Sequence, residues 1–136
     1  MAYTPGKGTE LRLTISSTPT ALAQVVNITP PAMEMGTTET THLLSTWREY
    51  IANIPDGGTV QFTVEYDSAS ATHVQLWTSY QAGTLETWAV ALNDTGDTTI
   101  NFSGILTNFG FDQITVDNVV TAPLTIKISG AVTITP

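Results

Sequence analysis

The chain has 136 residues, a formal net charge of −8, 41% hydrophobic and 12% charged residues, and no cysteine. That is one domain's worth of residues with a modest core, too apolar for disorder and without an apolar run long enough to span a bilayer. Disulfides, thiol catalysis and cysteine-ligated zinc are excluded. The four basic residues, Lys7, Arg12, Arg48 and Lys127, cannot build the patch that grips a nucleic acid backbone. The acidity serves solubility or repels phosphates.

Residues 1–9, with Pro5, Gly6 and Gly8, read as a flexible N-terminal arm and lack the basic-then-apolar layout of a signal peptide. ELRLTIS (10–16) alternates and predicts a strand, Ser17–Thr20 a turn, and LAQVVNITP (22–30) a second strand ended by Pro30-Pro31. Residues 29–46 have neither period and read as a long loop, where Met33 and Met35 either pack back on the core or meet a partner. WREYIANI (47–54) leans to extended structure, despite Glu49 as a misfit.

Pro55-Asp56-Gly57-Gly58 predicts a tight turn needing positive φ at Gly57, followed by the alternating strand TVQFTVEY (59–66). Asp67, Ser68 and Ser70 suit a helix start. Ala69, His73, Leu76, Trp77 and Tyr80 recur at helical spacing up to Gly83, which predicts a helix over 69–82. Strands are then expected at 85–93, 98–109, 111–120 and 124–135. Asn93–Asp97 would be a hairpin turn, and Gly104 and Gly130 bulges or close approaches. The expected fold is mainly β: a sandwich or barrel of seven or eight strands, one flanking helix and the loop 29–46, as a single domain over 1–136.

Chemistry is sparse. Glu39 and His42 are three apart, but no helix is expected there to make that a metal-ligand spacing. No serine lies in a nucleophile elbow. Glu65 and Glu86 could approach as paired carboxylates, but each has a simpler place on a strand, and Asp94 and Asp97 suit the hairpin turn. Lys7 lacks phosphate-loop spacing. No cofactor and no enzymatic activity are expected. Trp47, Trp77 and Trp88 leave open a monomeric carbohydrate-binding module, with Trp47 or Trp88 as the stacking platform and Trp77 assigned to the core.

The order of pieces resembles tail tube proteins of long-tailed bacteriophages. These pieces are Glu39-Thr40, Trp47-Arg48-Glu49-Tyr50, Pro55-Asp56-Gly57, the strand Val60 to Asp67, and the closing Gly130-Ala131-Val132-Thr133. The resemblance implies a minimal, single-domain form of a structural virion protein made in the host cytoplasm and not inserted in a membrane. It implies hexameric rings stacked into a tube, with strands of each subunit in a continuous inner barrel and DNA passing through the lumen without specific binding. The partners implied are further copies and the tape measure, tail terminator and tail tip proteins. On that resemblance Pro30, Pro31, Met33, Glu34, Met35, Thr38 and Glu39 would contact the neighbouring ring. Glu65, Asp94 and Asp112 are the candidate lumen carboxylates.

Overall fold

The computed structural model describes residues 6–15, 17–93, 96 and 98–136. The expected arm 1–9 therefore lies partly, and Asp94, Thr95 and Asp97 wholly, outside the described residues. Among the described residues the chain is mainly β, as expected, with eight strands in one sheet, two more in a separate ribbon, and one helix. In chain order these are β1 (Glu10–Ile15), β2 (Thr18–Ala21), β3 (Val25–Thr29), β4 (Glu34–Glu39), β5 (Tyr50–Asp56), β6 (Thr59–Glu65), α1 (Ala71–Ala82), β7 (Glu86–Ala91), β8 (Thr99–Phe109), β9 (Thr121–Ile128) and β10 (Thr133–Thr135).

Eight strands form one antiparallel sheet in the order β2-β1-β7-β8-β9-β6-β3, with β10 paired to β8. The other two, β4 and β5, pair only with each other. Strands β2 and β3 stand at opposite ends of that order, yet only Leu22, Ala23 and Gln24 join them. Such a link spans at most about 15 Å. The six strand spacings of a flat sheet would separate them by roughly 29 Å. The sheet therefore curls until its ends meet. Accordingly β1 touches β3, and the Leu22 N–H donates to the Leu11 carbonyl (2.9 Å). Gln24 turns the link at φ 59°.

The alternation read from the sequence fills the interior of this curl. Val60, Phe62 and Val64 of β6 face inward with Leu124 and Ile126 of β9, Phe102 and Leu106 of β8, Trp88 and Val90 of β7, and Leu11 and Leu13 of β1. Cross-strand partners carry the packing: Leu13 lies opposite Trp88, Trp88 opposite Phe102, and Phe62 opposite Leu124. The outward residues of β6 and β9 are Thr59, Gln61, Thr63, Glu65, Thr121, Pro123, Thr125 and Lys127, a largely neutral polar face.

Several sequence expectations change. Residues 18–20 are a strand, not a turn: Pro19 sits in the outermost strand β2, where its missing N–H costs nothing in the ladder. Residues 111–120 alternate in part but form no strand, and instead extend the β8–β9 hairpin as an exposed loop tied by the Asp112 N–H to the Thr121 carbonyl (2.9 Å). The run 124–135 is β9 and β10 on the same side of β8, broken at Gly130 with φ 97°. The helix starts two residues late, at Ala71, with Asp67 Oδ1 accepting the Ala69 N–H (2.9 Å). It ends on left-handed Gly83, as expected.

Pro55–Gly58 is not the tight turn expected: Pro55 and Asp56 end β5, and Gly57 and Gly58 carry the chain on to β6 in the other sheet. The positive φ falls on Gly58 (76°), not Gly57, and Asp56 Oδ1 accepts the Gly58 N–H (3.0 Å). Gly57 is required for another reason: a Cβ there would sit 2.6 Å from Ile128 Cγ2 and 3.0 Å from Val132 Cγ2. Gly104 is tighter still, with a Cβ 2.5 Å from Ile126 Cγ2 and 2.9 Å from the Lys127 carbonyl oxygen, which the ladder holds in place. Overpacking of this kind costs about 1–3 kcal/mol. We expect Gly104→Ala and Gly57→Val each to lower urea stability by roughly that amount. A midpoint unchanged for either variant would show that β9 yields freely.

Candidate assembly interface

The segment read as a loop over 29–46 is half of an antiparallel ribbon. In β4 and β5, Glu34 lies opposite Asp56, Met35 opposite Pro55, Thr38 opposite Ile51 and Glu39 opposite Tyr50, with a register shift between Met35 and Thr37. The Thr40 N–H donates to the Glu49 carbonyl (2.8 Å) and Thr38 Oγ1 to Asn53 Oδ1 (2.8 Å). Every residue of both strands is exposed. An isolated two-stranded ribbon is marginal in water, so a ribbon that buries neither face needs a covering partner.

The tip, residues 40–49, is compactly wired. The Ser45 N–H donates to the His42 carbonyl (2.9 Å), the Glu49 N–H to Thr41 Oγ1 (2.8 Å), and Ser45 Oγ to Glu49 Oε2 (3.1 Å). His42 stands 3.7 Å from Glu49, while Glu39 lies 4.0 Å from Arg48, so Glu39 and His42 face different partners. Leu43, Leu44 and Trp47 project into solvent at 104%, 89% and 84% exposure.

The residues expected to make contact between rings all lie on the ribbon or at its root. Pro30 is exposed and Pro31 half-buried at the root; Met33 is half exposed; Glu34, Met35, Thr38 and Glu39 are exposed. Sequence reasoning missed β5 as the second half of the ribbon, with Tyr50, Ile51 and Ile54, and the apolar tip. The signal was present in 47–54, where Glu49 spoils a core strand but suits a solvated one.

A second apolar surface lies around α1, whose Leu76 is buried in the core. Trp77 stacks on Tyr80 (5.9 Å between ring centroids) and meets Phe109 edge-on (5.3 Å); Phe111 meets Tyr66 (5.1 Å). Trp77, Tyr80 and Phe111 keep a third to a half of their surface exposed, so Trp77 is not the core residue expected. Trp88 is fully buried, with Nε1 donating to the Gly104 carbonyl (3.2 Å), and cannot be a stacking platform.

His73 clamps α1 to the barrel. It is fully buried; Nδ1 accepts the Asp67 N–H (3.0 Å), which leaves Nε2 to donate to the Ala23 carbonyl (2.7 Å). Among the acidic candidates, Glu65 lies opposite Thr121, and Thr121 Oγ1 donates to Asp112 Oδ2 (2.8 Å), so the structure brings these two carboxylates to one corner. Asp94 lies outside the described residues. Glu86 accepts from Ser79 and Thr84 hydroxyls and is not paired with Glu65.

The described residues thus form a curled sheet that carries a solvated two-stranded ribbon. Residues 2–135 match the lambda phage tail tube protein family, and the chain belongs to that family. It is a non-enzymatic structural protein of the virion tail. Among solved structures it is similar to the tail of an empty gene transfer agent particle refined with C6 symmetry: TM-score 0.77, 16% identity, covering 98% of this chain and 100% of that one. It is also similar to the sheath/tube terminator of the extracellular contractile injection system PVC, with TM-score 0.77, 10% identity and coverage of 100% and 99%. The SPP1 tail tube follows at TM-score 0.63 and 10% identity, covering 93% of this chain and 77% of that one. No curated protein sequence matches it.

Two expectations follow. His73→Leu leaves the Ala23 carbonyl and the Asp67 N–H without partners, and we expect a loss of about 2–6 kcal/mol in urea unfolding, given roughly 1–3 for each orphaned group. A loss below about 1 kcal/mol would show that water replaces both bonds. Leu43→Ser with Leu44→Ser removes only solvated side chains, so the unfolding midpoint of the unassembled chain should stay within about 0.5 kcal/mol of the parent.

Proposed function

We propose that this chain is the repeating subunit of a phage tail tube, a single domain that forms six-membered rings stacking into a hollow tube whose lumen conducts DNA. The observation that supports this most directly is the ribbon β4–β5, exposed on both faces over its whole length. It suits an element that reaches out of its own ring, with Pro30, Pro31, Met33, Glu34, Met35, Thr38 and Glu39 in contact with the next ring. The outermost strands β2 and β3 present unpaired backbone groups, which neighbouring copies would cover by continuing the sheet around the ring.

A conduit for DNA works best without attraction for the backbone. With net charge −8 the chain repels phosphates, and Glu65 and Asp112 at their shared corner are the acidic candidates for the lumen, with Asp94 the third. The tape measure protein would occupy the lumen before ejection, and terminator and tip proteins would cap the two ends. The sugar-binding alternative loses Trp88 to the core and retains only Trp47 as a platform.

Negative-stain electron microscopy of the purified protein across a concentration series tests the reading. Rings or tubes with a central hole are expected; a chain that stays monomeric at every concentration overturns it. Deleting 31–38 removes most of β4, none of whose residues is buried. That variant should remain folded by circular dichroism and fail to polymerise. Long tubes from it would show that the ribbon is not what holds rings together.

A further inference from the structure

Sulfur enters this chain only as methionine: there is no cysteine, and the three methionines are Met1, Met33 and Met35. Met33 and Met35 are 51% and 56% exposed, Met33 leading directly into β4 and Met35 within it. Successive strand residues alternate sides, so the two thioethers share one side of the ribbon and Glu34 takes the other. Met35 lies directly opposite Pro55, which adds its ring to the same side. The strip of Met33, Met35 and Pro55 is apolar, and the chain's own fold buries none of it.

A thioether in that place has two chemical states with opposite surfaces. Reduced, methionine is unbranched and soft, and it adapts to whatever apolar surface covers it. Oxidised, it is a polar sulfoxide, whose oxygen weakens any contact that gives it no hydrogen-bond donor. Exposure decides which methionines oxidise, and both of these are open in the unassembled chain. Glu34 faces Asp56 across the ribbon, so a neutral hydroperoxide approaches without the repulsion that an anionic oxidant meets. The hydrophobic core contains no methionine, so oxidation changes the ribbon and leaves the barrel intact.

We propose that Met33 and Met35 form a reversible oxidation site: a hydroperoxide converts both to sulfoxides in the free chain, and the oxidised ribbon no longer supports polymerisation. The proposal rests on the tube-subunit reading and adds a chemical control to it. In the forward step the thioether sulfur attacks the terminal peroxide oxygen. The S–O bond forms as the O–O bond breaks, and the proton of the attacked oxygen passes to the leaving one. Sulfur loses two electrons, and the hydroperoxide is reduced to an alcohol, or to water when it is hydrogen peroxide. The reverse step takes two electrons and two protons from a dithiol and releases water. A copy that covers the strip closes it to oxidant, so the free chain is sensitive and the finished polymer is protected.

The unassembled chain is treated with hydrogen peroxide near neutral pH and followed by peptide mapping. Met33 and Met35 should each gain one oxygen at a rate within about threefold of free methionine. A rate below about a tenth of that would overturn the site. Circular dichroism and the urea midpoint should not change. The oxidised chain should need a concentration roughly tenfold higher to polymerise. Dithiothreitol with the two methionine sulfoxide reductases, one for each sulfoxide epimer, should restore the parent threshold, and the chain has no disulfide for the dithiol to attack. Met33→Leu with Met35→Leu keeps the strip apolar and should polymerise with or without peroxide. If peroxide still blocks that variant, the effect belongs to another residue and the proposal fails. It fails equally if the oxidised parent polymerises at an unchanged threshold, or if the reductases remove the oxygens without restoring assembly. These three results leave the tube reading standing. A parent chain that never polymerises, before any peroxide is added, overturns both.

Discussion

The link Leu22–Gln24 is the constraint on which the rest depends. Three residues join the two ends of an eight-stranded sheet, so the sheet has to curl, and only a curled sheet brings Leu11 and Leu13 into the same core as Val60 and Phe62. The core in turn tolerates very little. Trp88 fills the space between β1 and β8, and Gly104 lets β9 approach β8 closely enough to cover it. His73 ties the same link, through the Ala23 carbonyl, to the end of β6 and to α1. Closure, core and helix are therefore one cooperative unit, and the ribbon is outside it.

That division explains which parts of the fold were legible in the sequence. Pattern reading detects a contrast between a buried and a solvated face. Residues 59–66 carry that contrast in full and become β6; 98–109 carries it and becomes β8, with Gly104 marking its close approach. The ribbon has no contrast, because β4 and β5 bury nothing within the monomer, and so EMGTTE reads as loop. Pro19 disguised β2, since a proline is a poor strand residue everywhere except at an edge. The alternation of Ile114 and Val116 points the other way: it reads as a strand but has no sheet to join.

The candidate site was legible to the same degree. Met33 and Met35 were conspicuous because apolar side chains in an aperiodic polar segment need a reason, and their exposure shows that their own core does not supply one. The partner strand of the ribbon was missed because Tyr50, Ile51 and Ile54 look like core residues until the register places them opposite Glu39, Thr38 and residues beside Met35. The family order of pieces, in contrast, survives without any of this detail, since it depends on sequence rather than on where side chains point.

Misreadings at 29–46 and at 111–120 share one physical origin. Both segments hold apolar residues that a monomer leaves in water, one at each end of the barrel, and a sequence shaped for an assembly need not satisfy the rules of a solitary fold. A monomer with one such segment would be expected to pair symmetrically with another copy through it. Two different segments are another case, since no single symmetric contact through one of them covers both.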